Sequence, residues 1–177
     1  MQLVILTGAS GSGKTAIAEA IRIGRPDLAE VLHFDSIGVP SPEERLAWGP
    51  VGAWQRAMTL SWMNRISAMR GGLRPVLFEG AMQLAFVREG LLAAGITDAR
   101  MILVDCDDAT RTRRLVTDRA QPELANPDMM TWAEFLRREA KASACEMLDT
   151  SRLSLERCVE RVCAHLAPAH RRSGSVG

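Results

Sequence analysis

Eight consecutive residues, Gly8-Ala9-Ser10-Gly11-Ser12-Gly13-Lys14-Thr15, fit the pattern G-x-x-x-x-G-K-[ST] in full. Each letter has a physical use. Glycines let the backbone turn its N–H groups inward around phosphate oxygens. A helix starting at the end of the loop adds partial positive charge and unpaired donors. A lysine in this place reaches β- and γ-phosphates, and the threonine hydroxyl can ligate Mg²⁺. Gly8, Ala9, Ser10, Gly11, Ser12, Gly13, Lys14 and Thr15 are therefore expected to bind a purine nucleoside triphosphate, ATP with Mg²⁺.

A triphosphate site also needs carboxylates. Asp35 closes an apolar run in His33-Phe34-Asp35-Ser36, and Glu79 closes another in Leu77-Phe78-Glu79-Gly80. Asp35 is placed to take a proton from an acceptor hydroxyl or to orient it. Glu79 is placed to hold Mg²⁺ with Thr15, directly or through water. Asp105 ends a third run, and Asp107 or Asp108 beside it reads as a helix cap. Cations that follow charge on a moving phosphoryl group are expected from Arg114 and Arg119, because the planar guanidinium fork pairs with phosphate oxygens. Arg119 is assigned a catalytic role and Arg114 a nucleotide-binding one, while Arg111 and Arg113 read as surface residues.

The elements that must position these groups alternate. Apolar runs at 2–6, 30–35, 75–78, 100–105 and 145–148 read as strands. Amphipathic stretches at 14–24, 54–69, 83–94, 108–118, 131–144 and 154–166 read as helices, the fifth opened by a Thr131/Glu134 capping box, and Pro42-Glu43-Glu44 looks like a further helix start. Alternation of this kind implies parallel crossovers and an α/β sheet covered on both faces. Ligands in such sheets bind beyond the carboxyl ends of the strands. The loop, Asp35, Glu79 and Asp105 all fall there. Gln121–Asp128 reads as a mobile loop, so that about 113–130 would form a lid over the phosphates. Residues 168–177 read as a disordered tail behind a single domain of 1–167.

Bulk properties exclude several classes. The chain has 177 residues and a formal net charge of +1, which gives no global electrostatic case for nucleic acid or acidic membranes. No apolar run approaches the roughly 20 residues that span a bilayer. Met1–Thr7 lacks the basic start of a signal peptide, so a cytoplasmic protein is expected. Cys106, Cys145, Cys158 and Cys163 form no C-x-x-C pair and lie outside ligand spacing with His33, His165 and His170, so buried free thiols are expected.

Gly8–Thr15, Asp35, Glu79-Gly80 and the arginine-bearing helix together resemble the nucleoside-monophosphate-kinase-like group of P-loop kinases, which includes adenylate, shikimate and gluconate kinases and chloramphenicol phosphotransferase. The pairs Asp35-Ser36 and Glu79-Gly80 also resemble the uridine kinase pattern, in which the Asp serves the acceptor hydroxyl. The resemblance covers most of residues 1–165. It implies a three-layer P-loop NTPase fold with a five-stranded parallel sheet in order 2-3-1-4-5, helices on both faces and a lid after the fourth strand. It also implies that the turn after the fifth strand, Asp149-Thr150-Ser151-Arg152, holds the adenine.

One departure bears on the acceptor. Adenylate kinases carry an Arg after the third strand that grips an acceptor phosphate, whereas here Gly80 is followed by Ala81-Met82-Gln83, with no Arg until Arg88. Trp48, Trp54, Met58, Trp62 and Met69 in the acceptor region 36–72 either line an apolar pocket or pack a helix into the core, and Arg45, Arg56 and Arg65 are spare cations there. The leading expectation is an ATP-dependent kinase phosphorylating a hydroxyl on a small-molecule acceptor. Its alternatives are a nucleoside monophosphate kinase and a non-transferring ATP-binding regulatory module.

Overall fold

A computed structural model describes residues 2–69 and 71–167. The tail expected to be disordered, and His170 with it, lies outside the described residues. Five strands, β1 (Leu3–Thr7), β2 (Glu30–His33), β3 (Val76–Gly80), β4 (Ala99–Asp105) and β5 (Glu146–Asp149), form one sheet in the order β2-β3-β1-β4-β5. All four pairings are parallel. This is the expected 2-3-1-4-5 arrangement.

The central strand shows why both faces must be covered. Every residue of β1 is buried. Val4 and Leu6 pack with Ile17 and Ile21 of α1 (Lys14–Gly24) and with Val162 and Leu166 of α7 (Leu155–Leu166). Leu3 and Ile5 point to the other face, against Trp62, Met63 and Ile66 of α3 (Ala53–Ala68) and Val87 of α4 (Leu84–Ala93). That face continues with Leu103 of β4 against Ala133, Leu136 and Ala140 of α6 (Pro127–Ala142). Each such aliphatic side chain taken out of water contributes about 1.5–3 kcal/mol. Two short helices complete the chain, α2 (Pro42–Leu46) and α5 (Asp108–Arg113). Ser41 caps α2 with a reciprocal capping box to Glu44.

Three boundaries differ from the sequence reading, each for a local reason. β2 stops at His33, and Asp35 sits in a 3₁₀ turn over Phe34–Ile37. The turn drives Phe34 into the core, where its ring meets Trp54 edge-on at 5.7 Å and its carbonyl accepts from Trp62 Nε1 at 3.2 Å. The helix expected over 108–118 is α-helical only to Arg113 and continues as a π-turn over Arg114–Asp118. The helix expected from Thr131 starts four residues earlier. Asn126 caps it by accepting from Met129 N at 2.9 Å, with Pro127 in the first turn. Asn126-Pro127 is thus a helix start, and the segment before it holds a short 3₁₀ turn at Pro122–Leu124.

Candidate active site

The phosphate loop leaves β1 at Gly8. A Cβ there would lie 2.2 Å from the Val104 carbonyl oxygen of β4, so only glycine fits. Gly13 caps α1 with φ 95°, a conformation L side chains avoid. The loop is braced from behind. Arg111 Nη1 donates to Ser10 O at 2.8 Å, Arg114 Nη1 to Gly11 O and Ser12 O at 3.3 Å, and Thr150 Oγ1 to Ser12 O at 2.7 Å. In a trans peptide the carbonyl and the following N–H point in opposite directions. Drawing the Ser10 and Ser12 carbonyls back therefore turns the N–H groups of Gly11 and Gly13 forward into the concavity. Ser12 Oγ is buried beside Gly8 and, among the described residues, has no hydrogen-bond partner. Forward-facing N–H donors suit phosphate oxygens.

Arg111 corrects the sequence reading. It was expected at the surface and is 0% exposed. Its Nη2 donates to Asp105 Oδ1 at 2.7 Å, and Arg137 Nε donates to the other Asp105 oxygen at 2.6 Å. The result is a buried carboxylate clasped by two guanidinium groups beneath the loop. Two signals in the sequence point to it: Asp105 ends an apolar strand, and Arg111 lies four residues before the buried Leu115, on the inward face of its helix. Arg113 is exposed and pairs with Asp118 at 3.4 Å. Asp107 caps α5, accepting from Thr110 N at 2.7 Å, as expected. Burial raises the Cys106 thiol above its ordinary value, and its Sγ donates to Gly11 O at 3.5 Å.

In front of the loop, Thr15 Oγ1 lies 3.4 and 3.3 Å from the two carboxylate oxygens of buried Glu79. A hydroxyl beside a carboxylate is an oxygen donor set that suits a hard divalent cation. His33, which the sequence reading left unassigned, holds this pair in place. Its Nδ1 lies 2.8 Å from Glu79 Oε1 and its Nε2 3.0 Å from Glu19 Oε1. His33 and Glu79 are register partners on neighbouring parallel strands, and Glu19 lies one helical turn beyond Thr15. Lys14 is also buried. Burial pushes its ammonium below its ordinary value, the Glu79 and Asp35 carboxylates pull it back up, and Arg119 and Arg111 add to the lowering.

Two cavities flank the loop. One, of about 380 Å³, is lined by polar Lys14, Thr15 and Arg119 and by apolar Ile17, Leu153 and Cys158. Thr150, in the turn expected to hold the adenine, lines it. Arg114 lines it too, but its guanidinium is engaged by the loop carbonyls, by Thr150 Oγ1 at 2.8 Å and by Thr150 O at 3.0 Å. Arg114 thus braces the loop and ties it to the turn after β5. Arg119 follows the π-turn, exposed, with Ala120 beyond it in the left-handed region at φ 50°.

The second cavity, of about 580 Å³, reaches Ser10 of the loop and has Asp35 in its wall. Of the aromatic and methionine residues expected around an acceptor, Trp54 lines it, whereas Met58, Trp62 and Met69 pack into the core and Trp48 is exposed.

No protein-family model matches the chain, and no curated protein matches it in sequence. Solved structures do match in fold. Shikimate kinase from Acinetobacter baumannii in complex with shikimate is 17% identical with a TM-score of 0.61, over 92% of this chain and 90% of that one. A tunicamycin resistance protein from Deinococcus radiodurans is 17% identical with a TM-score of 0.62, over 94% and 95%. The APS kinase of Mycobacterium tuberculosis in complex with AMPPNP and APS is 16% identical with a TM-score of 0.59, over 93% and 96%. With the sheet order and the loop, these likenesses give the chain the fold of the P-loop kinases in their nucleoside-monophosphate-kinase-like arrangement.

Proposed function

We propose that this protein is an ATP-dependent small-molecule kinase that moves the γ-phosphoryl group of ATP to an acceptor hydroxyl. The observation that carries the reading is the position of Asp35. It stands in the wall of the second cavity, and its charge reaches Lys14 across the loop. A hydroxyl held in that cavity would lie between a carboxylate that can take its proton and the cations that stabilise the phosphoryl group.

In the step itself the acceptor oxygen forms a bond to the γ-phosphorus as its proton passes to Asp35. The bond from that phosphorus to the β–γ bridging oxygen breaks, and ADP leaves with the electron pair. Lys14 and Arg119 hold charge on the transferring group, and the N–H groups of Gly11 and Gly13 orient the phosphates. Thr15 and Glu79 would hold Mg²⁺, which supplies charge neutralisation across the β- and γ-phosphates. The adenine would lie against the apolar residues of the first cavity, Ile17 and Leu153.

ADP release, measured with a panel of hydroxyl compounds against the rate without acceptor, tests this reading. A member of the panel should raise the rate at least about 10-fold. A chain that binds ATP and keeps its no-acceptor rate throughout is the binding module instead.

A further inference from the structure

Resting on the kinase reading, the walls of the second cavity narrow the acceptor. We propose that it is a hydroxyl-bearing small molecule with a largely apolar body and no phosphate group. Asp35 and, from the loop, Ser10 line the cavity, with Arg45, Gln55 and Gln83 as its other long polar side chains. Val39, Leu46, Val51 and Trp54 from one stretch of the chain, and Met129 and Trp132 of α6 from another, give it large apolar walls. Its volume of about 580 Å³ suits a drug-sized ligand.

Exposure points the same way. Ten large hydrophobic residues are exposed among the described residues, and five of them, Ile37, Val39, Leu46, Trp48 and Val51, fall within the segment 37–51, from which Val39, Leu46 and Val51 line the cavity. Leu46 is 76% exposed, and Val51 is fully so. A concentration of uncovered apolar side chains beside a cavity marks a surface that gains by burial against a ligand.

Charge argues against a phosphorylated acceptor. Arg45 is the one lysine or arginine that lines the cavity among the described residues. Its Nε donates to Pro40 O at 2.9 Å and its guanidinium lies over the Trp54 ring at 5.3 Å. Two other cations expected there are engaged elsewhere. Arg56 pairs with Glu89, and Arg65 lies over Trp62 at 5.3 Å. Arg88, the first arginine after β3, does not line the cavity. A phosphate monoester beside Asp35 would need several converging cations. Of the two side-chain amides that line the cavity, Gln55 is committed: it donates to Ala81 O at 2.7 Å and accepts from Gln83 N at 3.4 Å.

The test pairs binding with transfer on the full chain. Tryptophan emission, to which Trp54 and Trp132 contribute from the cavity wall, is followed with Mg-ADP present. Phenylalkanols and alicyclic alcohols, nucleoside monophosphates and aldonic acids are added in turn. Each compound is then assayed for ADP release from ATP. We expect a saturable emission change and acceptor-dependent ADP release with the apolar alcohols alone. In Val51→Asp, a fully exposed position, KM for those alcohols should rise about 10-fold or more with kcat nearly unchanged.

Transfer confined to nucleoside monophosphates or aldonic acids overturns the acceptor class and leaves the kinase reading standing. Saturable binding of the apolar alcohols without transfer to any compound keeps the ligand class and removes the kinase reading. Self-association that Leu46→Asp and Val51→Asp dissolve, with acceptor kinetics unchanged, would show that a second copy covers this segment and would overturn the proposal.

Discussion

Lys14 is where opposing influences on one side chain can be weighed. Burial lowers its proton affinity, and the Glu79 and Asp35 carboxylates only partly restore it. Between the lowered value and the ordinary lysine value, the unfolded chain holds a proton that the folded chain does not. Stability of the ligand-free protein therefore rises with pH through that window. Below it, the cost of burying the charge is fully present. We expect Lys14→Met to be the more stable protein near neutrality and its advantage to shrink on the alkaline side, as urea unfolding at a series of pH values would show. ATP affinity should move the other way, falling as Lys14 loses its proton, with the slope absent in Lys14→Met. A second residue-scale expectation concerns Asp105. Removing its carboxylate leaves Arg111 buried and uncompensated, so Asp105→Ala should cost about 3–5 kcal/mol. A loss under about 1 kcal/mol in denaturant unfolding would mean that the clasp is not holding the loop's support. Asp105 was passed over in the sequence because its partner Arg137 is 32 residues away and arginine runs ordinarily face solvent.

Two helices end in the same way with different residues at the critical place. After α4, Ile96 N donates to Leu91 O at 2.8 Å and Gly95 N to Leu92 O at 3.0 Å, with Gly95 at φ 62°. After α6, Cys145 N donates to Ala140 O at 2.9 Å and Ala144 N to Lys141 O at 3.3 Å, with Ala144 at φ 48°. Both are Schellman closures, and the second places a Cβ where glycine is preferred. Ala144→Gly should therefore stabilise the chain by about 0.5–1 kcal/mol, seen as a raised midpoint in denaturant unfolding. A lowered midpoint would mean that the unfolded-chain entropy of glycine outweighs the relief. Element existence was legible wherever apolar periodicity was strong, as in β1, α1 and α7. Boundaries were not legible where tertiary contacts decide them. Phe34 ends β2 early because Trp54 and Trp62 receive it, and no local pattern announces those partners. The start of α6 was readable from Asn126-Pro127, but proline after a polar stretch also reads as loop.

For the whole molecule, the sheet order explains how distant letters become one site. β1 at the centre delivers the loop, β3 beside it delivers Glu79, and β2 at the edge delivers His33 and then Asp35. The loop and the Glu79–Thr15 pairing were legible because each follows from a strand end and a chemical need. The Glu19–His33–Glu79 chain and the two-cavity plan were not, because they require knowing which strands are neighbours. On the proposed reading, with the triphosphate in one cavity and the acceptor in the other, Asp35 is the residue on which phosphoryl transfer turns. The most direct measurement compares wild type and Asp35→Asn for acceptor-dependent ADP formation, with ATP affinity measured separately on both. Asp35→Asn should bind ATP nearly as wild type does and lose about 10²–10⁴-fold in transfer rate. Transfer persisting at near the full rate in Asp35→Asn would contradict the assignment of Asp35 as base.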